Sequence, residues 1–211
     1  MIDIIIVGPF DQTTKNCINS IKANSHFENS VTVVPMDDKG YNAALNKGVE
    51  WVKEKDTNNA VFAFCNNDLI FNDNWDGILV EEMYLNRCKS GSAWCPKTHA
   101  GWWDGKKPNL PQIGTKTGKY LAGWCYVWSH DLYEKLGPFD ERQKFWCCDN
   151  TVTEMLDKAG ERHLLSSAEV THLGSQMLNT YKGTPRYNEL TTQEVKVFNR
   201  NYNRNLFNLG C

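Results

Sequence analysis

Residues 63–71 read AFCNNDLIF. An apolar run from Ala60 to Cys65 stops at Asn66-Asn67-Asp68, and Leu69-Ile70-Phe71 restores the apolar character at once. A surface loop does not return to Leu-Ile-Phe within one residue. A buried strand whose carboxyl end bears polar groups, followed by a second buried segment, does. In open α/β sheets ligands bind outside the carboxyl ends of the strands, so the two amides and the carboxylate mark a candidate site.

Working outward, residues 2–8 (IDIIIVG) and 31–35 (VTVVP) repeat the pattern. Near-continuous β-branched runs are how strands buried on both faces read. They end at Pro9-Phe10-Asp11 and Met36-Asp37-Asp38. Asp11 or Thr13 is placed to cap a helix with Cys17, Ile18 and Ile21 at helical spacing. Gly40-Tyr41 leads into NAALNKGVEWVKE, with Ala44, Leu45, Val49 and Val52 on one face. Strand–helix–strand–helix–strand predicts an α/β fold, a mostly parallel central sheet flanked by helices. Further on, the spacing predicts a helix over 76–87, a strand in SAWCP and a loop over 97–119 rich in Gly, Pro, Lys and Trp. After these come a strand over 120–128, helices in SHDLYEKLG and TVTEMLDKAG, and a strand in HLLSSAEVTHLG. A loop as long as 97–119 is usually functional. The tail VKVFNRNYNRNLF reads as a helix docked by an apolar stripe. The expected organisation is one domain over residues 1–176, with 177–211 an extension packed on it.

The bulk numbers exclude several classes. The 211 residues carry a formal net charge of −2, so no global basic field attracts nucleic acid or anionic membrane. No apolar run approaches a membrane span, and MIDIIIVGPF lacks the basic start of a secretory signal. Among eight cysteines no pair has C-x-x-C spacing, which argues against a zinc site and for free thiols in a reducing, cytoplasmic setting. Eight tryptophans include Trp102, Trp103, Trp124 and Trp146 in polar neighbourhoods; the Trp102-Trp103 pair, set among Gly and Asp-Gly-Lys-Lys, suits a platform for a sugar ring or a base.

Taken in order, several stretches resemble the family 2 glycosyltransferases of the GT-A fold. GYNAALNKGVEW is similar to that family's glycine–aromatic–Ala–Ala helix start. AFCNNDLIFNDNW is similar to its strand ending in a metal-binding Asp. YLAGWCYVWSHDLYEKLGPFDER is similar to its small-residue strand, helix and Gly-Phe-Asp-Glu turn. FWCCDNTVTEMLDKAG and EVTHLGS are similar to its acidic helix start and terminal histidine strand. The order holds from residue 2 to about 176. The resemblance implies an inverting transfer of a sugar from a nucleotide-diphosphate donor, most readily UDP-linked, to a hydroxyl. Mn²⁺ or Mg²⁺ then neutralises the leaving diphosphate, with Asp68 and His172 as the implied metal residues; a helix cap or turn for Asp68 and a satisfied strand-end histidine are the alternatives. Asp149 aligns with the second acid of the family's acidic pair and is implied as general base, or it only caps the helix that follows. Cys148 stands where the family has the first acid. Pro9, Phe10, Asp38, Asn42, Asn46, Lys47, Asn66, Asn67 and Trp124 are the expected donor and nucleotide contacts, and Trp102 and Trp103 the acceptor contacts. The segment the family places between the second strand and the glycine–aromatic helix is missing, since Asp38 runs almost directly into Gly40. The expected acceptor is a glycan or hydroxymethylated DNA. Two other readings stand beside this one: a nucleotidyltransferase, which VGPFDQTT disfavours by lacking a basic Gly-rich loop, and a non-catalytic nucleotide-sugar-binding relic.

Overall fold

The computed structural model describes residues 1–55, 59–174 and 179–206. The opening is as the apolar runs predict. Strand β1 (Ile2–Val7) lies between β2 (Ser30–Val34) and β3 (Val61–Asn66), parallel to both. Helices α1 (Gln12–Asn24) and α2 (Tyr41–Lys53) make the crossovers. Asp11 is the α1 cap, its carboxylate accepting from the Thr14 N–H at 2.9 Å. The remaining elements are β4 (Leu69–Phe71), α3 (Trp75–Leu85), β5 (Ser90–Trp94), α4 (Pro96–His99), β6 (Gln112–Ile113), β7 (Cys125–Ser129), α5 (His130–Leu136), α6 (Cys148–Ala159) and β8 (His163–His172). Strand order is β2-β1-β3-β7-β5-β8-β4, with β6 paired to β8. β1, β2, β3, β5 and β8 run one way; β4, β6 and β7 run against them.

Alternation along the strands divides the core between the two faces of the sheet. Ile4 and Ile6 of β1 pack with Cys17, Ile21, Trp75 and Leu79 from α1 and α3. Ile5 and Val7 pack with Leu45, Val49, Leu132, Val152 and Leu156 from α2, α5 and α6. Helices therefore cover both faces, and polar groups gather at one edge.

The strand expected over 120–128 is shorter. Tyr120–Trp124 form a turn, because the Ala122 N–H donates to Ser92 Oγ rather than to a neighbouring strand and the Cys125 N–H closes back on the Ala122 carbonyl. This turn sets Gly123 and Trp124 at the edge where β3 ends.

Beyond residue 179 the chain forms α7 (Pro185–Asn188), a π-helical turn (Glu189–Gln193) and α8 (Glu194–Tyr202). Glu194 Oε2 accepts from the Lys144 and Phe145 N–H groups and from Gln143 Nε2. The Arg204 guanidinium forks onto Glu154 of α6 at 2.6 and 3.1 Å, and Tyr202 donates to Asp140. None of the helices among the described residues is long and apolar enough to cross a membrane. The seven described cysteines are in no disulfide.

Candidate active site

The turn between β3 and β4 is held from both sides. Asn67 Nδ2 donates to Thr14 Oγ1 at 3.0 Å, and its side chain fills the space a Cβ on Gly8 would need. The Asn66 N–H donates to the Trp124 carbonyl, and the Leu173 N–H to the Asp68 carbonyl. Asp68 is thereby fixed at the start of β4, opposite the end of β8, where Leu69 registers with His172.

Asp68 and His172 are both buried, with Asp68 Oδ1 3.2 Å from His172 Nε2. Neither ring nitrogen of His172 finds a hydrogen-bond partner among the described residues. Buried polar atoms are ordinarily satisfied, and an imidazole nitrogen 3.2 Å from a carboxylate oxygen, with no regular hydrogen bond among the described residues, is a donor pair that a cation would suit. No group of three or more metal-binding side chains occurs among the described residues. Two protein donors fit Mn²⁺ or Mg²⁺, which commonly keep their other positions for phosphate and water.

Trp124 joins this pair to the rest of the edge. Its indole stacks on His172, with centroids 5.5 Å apart and planes at 21°, and also meets His99 at 5.5 Å. His99 lies stacked on Trp94 at 5.1 Å and is buried. Its Nδ1 accepts from the Cys95 N–H at 2.8 Å, which leaves the proton on Nε2. That nitrogen has no partner among the described residues. Burial pushes the His99 pKa down to about 4, so the ring stays neutral.

The residue before Trp124 meets the expected base. A Cβ on Gly123 would lie 2.6 Å from Asp149 Cβ and 2.9 Å from its Cγ and Oδ2. Asp149 stands in the first turn of α6, after Cys147, whose φ of 63° turns the chain sharply into the helix. The carboxyl retains some open surface, but protein atoms crowd it, and desolvation pushes its pKa up to about 6 despite the Asn150 N–H donating to Oδ1. A base with a pKa near working pH is suited to proton transfer. Asp68, His172, Trp124, Gly123 and Asp149 thus form one contiguous row.

The other sequence-derived residues divide into two groups. Pro9 and Phe10 are exposed beyond β1, Phe10 at 72%. Asp38 helps line a cavity of about 220 Å³ beyond β2, together with Arg186, Glu189 and Glu194. Trp102 is exposed under the Lys116 ammonium, and Trp103 meets Trp94 edge-on at 5.6 Å. Asn42, Asn46 and Lys47 do not join them. Asn46 is buried and committed to structure: it donates to the Phe139 carbonyl and Glu141, and accepts from the Phe139 N–H and Tyr133 hydroxyl. Asn42, also buried, donates to the Asp140 carbonyl. These amides clamp the Gly-Pro-Phe-Asp-Glu turn onto α2. Lys47 lies over Trp51 on the outer face of α2. A second cavity, about 270 Å³, opens between α2 and α5 and holds none of the row just described.

Sequence reasoning missed Gly123 and His99. A glycine inside an apolar strand pattern often marks close backbone approach, and YLAGWCYVW carried that signal for Gly123. His99 had none.

No curated protein sequence matches the chain. Among solved structures, GalNAc-T7 with UDP, GalNAc and Mn²⁺ superposes with a TM-score of 0.61 at 13% identity, over 93% of this chain and 50% of that one. A mannosyltransferase from Pyrobaculum calidifontis with GDP-Man and Mn²⁺ gives 0.62 at 10% identity, over 98% and 65%. The catalytic domain of Drosophila beta1,4galactosyltransferase 7 with xylobiose gives 0.59 at 12%, over 83% and 72%. The chain thus spans half the length of the first and somewhat under two thirds of the second. These likenesses establish the fold, and none of them supports a hydroxymethylated-DNA acceptor. The family model described as Glycosyl transferase family 2 matches residues 2–152, well over half the chain, and the protein belongs to that family.

Proposed function

We propose that this protein transfers a sugar from a nucleoside-diphosphate donor, in the first instance a UDP-sugar, to a hydroxyl of a glycan, with inversion and with Mn²⁺ or Mg²⁺ as cofactor. The observation that carries the reading is the row from Asp68 and His172 through Trp124 to Gly123 and Asp149. A divalent ion held by Asp68 and His172 would offset the charge of the leaving diphosphate. Asp149 then takes the proton of the attacking hydroxyl, and its raised pKa makes it an effective base near neutral pH. Phe10 offers an exposed ring for the base, and Asp38 lines the cavity beyond β2. The short connection from β2 to α2 and the C-terminal helices line that cavity together. Free thiols support a reducing setting such as the cytoplasm.

The test is thermal unfolding with UDP-, GDP- and other nucleotide sugars, with and without Mn²⁺. A ligand at 100 times its Kd adds about 2.7 kcal/mol, which raises Tm by roughly 5–11 °C at this size. The expected result is a shift for one donor that requires the ion and disappears in Asp68→Asn. A donor shift that ignores both the ion and that substitution removes the metal assignment; no shift with any nucleotide removes the transferase reading.

A further inference from the structure

The segment 97–119 contains five lysines and one aspartate, a formal charge of +4 in a chain of net −2, so the rest of the molecule carries −6. Such segregation makes a local positive field on an otherwise acidic protein. Two of these lysines are arranged on aromatic faces. Lys116 Nζ stands 4.5 Å from the centroid of Trp102, which is 45% exposed. Lys119 Nζ stands 5.3 Å from Trp103 and 5.0 Å from Tyr120. Neither forms an ion pair with a carboxylate among the described residues. Their positive charge therefore faces outward beside a flat apolar ring.

The platform is tied to the helix of the base. Thr153 Oγ1 donates to the Thr115 carbonyl at 2.9 Å and shares a 2.8 Å hydrogen bond with Thr117 Oγ1. Thr153 follows Asp149 by four residues on α6, so the two lie on one helix face. Lys116 is held between the two tethered threonines. At its other end the platform continues through Trp103, Trp94 and His99 to Trp124. The Nε2–H of His99, without a partner among the described residues and in a side chain 1% exposed, is a donor in that row. The two lysines are thus tied to the helix of the proposed base, and not to the Asp68–His172 pair.

We propose that the acceptor is an acidic saccharide, one ring of which stacks on Trp102 while its carboxylate or phosphate is met by Lys116 and Lys119. This rests on the transferase reading above. A neutral sugar would need the tryptophan but not the unpaired ammonium groups, and an indole with an adjacent cation matches a flat ring bearing an anion.

The experiment is a glycan array of matched neutral, uronic-acid-terminated and phosphorylated saccharides, probed at low and high salt with the wild-type protein, the Lys116→Gln/Lys119→Gln double variant and Trp102→Ala. Acidic glycans are expected to dominate wild-type binding, the two anionic arms telling carboxylate from phosphate. The double variant should lose at least tenfold of the preference for acidic over neutral partners, as should added salt. Trp102→Ala should weaken both. Equal binding of neutral glycans, an acidic preference that survives the double variant, or no glycan binding at all overturns the proposal. The donor-dependent thermal shift of the wild-type protein separates the two failures. If that shift is present, only the acceptor assignment falls; if it is absent, the transferase reading falls as well.

Discussion

The sharpest consequence of the geometry lies at Gly123. Its φ is outside the left-handed region, so alanine meets no backbone penalty there and the substitution tests space alone. The new methyl carbon would sit 2.6 Å from Asp149 Cβ and 2.9 Å from its Cγ and Oδ2. Ordinary contact begins near 3.4 Å, so either the carboxyl or the 120–124 turn retreats by roughly 1 Å. Displacing a catalytic group by about that much can cost 10²-fold in rate, about 2.7 kcal/mol of barrier. Overpacking adds a stability loss of about 1–3 kcal/mol, so the assay belongs well below Tm. Gly123→Ala should lower kcat for nucleotide release about 100-fold and leave the donor KM within a few-fold, because Asp68 and His172 lie at the other end of the row. In an Asp149→Asn background the same alanine should add less than about threefold, since residues acting through one group are not additive. A folded Gly123→Ala protein with kcat within threefold of wild type, or equal losses in both backgrounds, would refute the idea that this glycine positions the base.

The remaining expectations concern Asp149, His172 and Asn46. The activity profile should fall on the acid side with an apparent pKa near 6, the value to which desolvation raises Asp149. The same shift has a stability sign. The native carboxyl holds its proton more tightly than the unfolded one, so its contribution is lost as pH rises from about 4 through 6, and above that the buried charge costs up to about 3 kcal/mol. Asp149→Asn should therefore unfold several degrees higher than wild type at pH 8 in the presence of chelator, with little difference at pH 4; an equal difference at both contradicts the shift. His172→Ala should raise the Mn²⁺ concentration needed for donor binding by at least tenfold while leaving the metal-free fold intact, and an unchanged Mn²⁺ titration counts against its role as a ligand. Asn46→Ala strips the Phe139–Glu141 turn of its partners and should lower stability by about 3 kcal/mol, with donor affinity preserved. Lost donor binding at unchanged Tm would make Asn46 a ligand contact after all.

The parallel opening was legible because burial on both faces leaves β1 and β3 almost wholly apolar, with Asp3 the one charged residue inside them, and the β3 run ends abruptly in polar groups at Asn66. The family resemblance singled out Asp68, His172 and Asp149, and the structure sets each at an element end. Asn42 and Asn46, expected as donor contacts, spend their amides on the 139–141 turn instead, and the reason the sequence does not show this is physical. A polar residue at a helix start looks alike in sequence whether its amide faces a ligand or another loop, and the loop these two clamp lies more than 90 residues away. The strand expected from residue 120 starts only at Cys125: the residues before it have strand character, but their N–H groups turn to the Lys116 carbonyl and to Ser92 Oγ, and only the Trp124 carbonyl reaches β3, at Asn66.

These departures share one cause, and it bears on the proposed site. Asn42, Asn46 and the 120–124 turn all belong to the scaffold around Asp149. Asn42 and Asn46 fix the turn that leads into α6, and the 120–124 turn presses Gly123 against Asp149. Glu194, from beyond the family match, ties down residues 143–145 just before Asp149. The Lys144 carbonyl in turn accepts from the Tyr41 N–H and lies 2.4 Å from where a Cβ on Gly40 would stand. Gly40 at φ +100° is thus required twice, by its backbone conformation and by that close approach. The position of Asp149, the proposed base, is set by long-range contacts onto the chain before it and onto its own helix. On the proposed assignment, this is how a single carboxylate beside Cys148 could serve where the resemblance implies an acidic pair: Asp149 is located by packing from α2, the 120–124 turn and α8 rather than by a second acid.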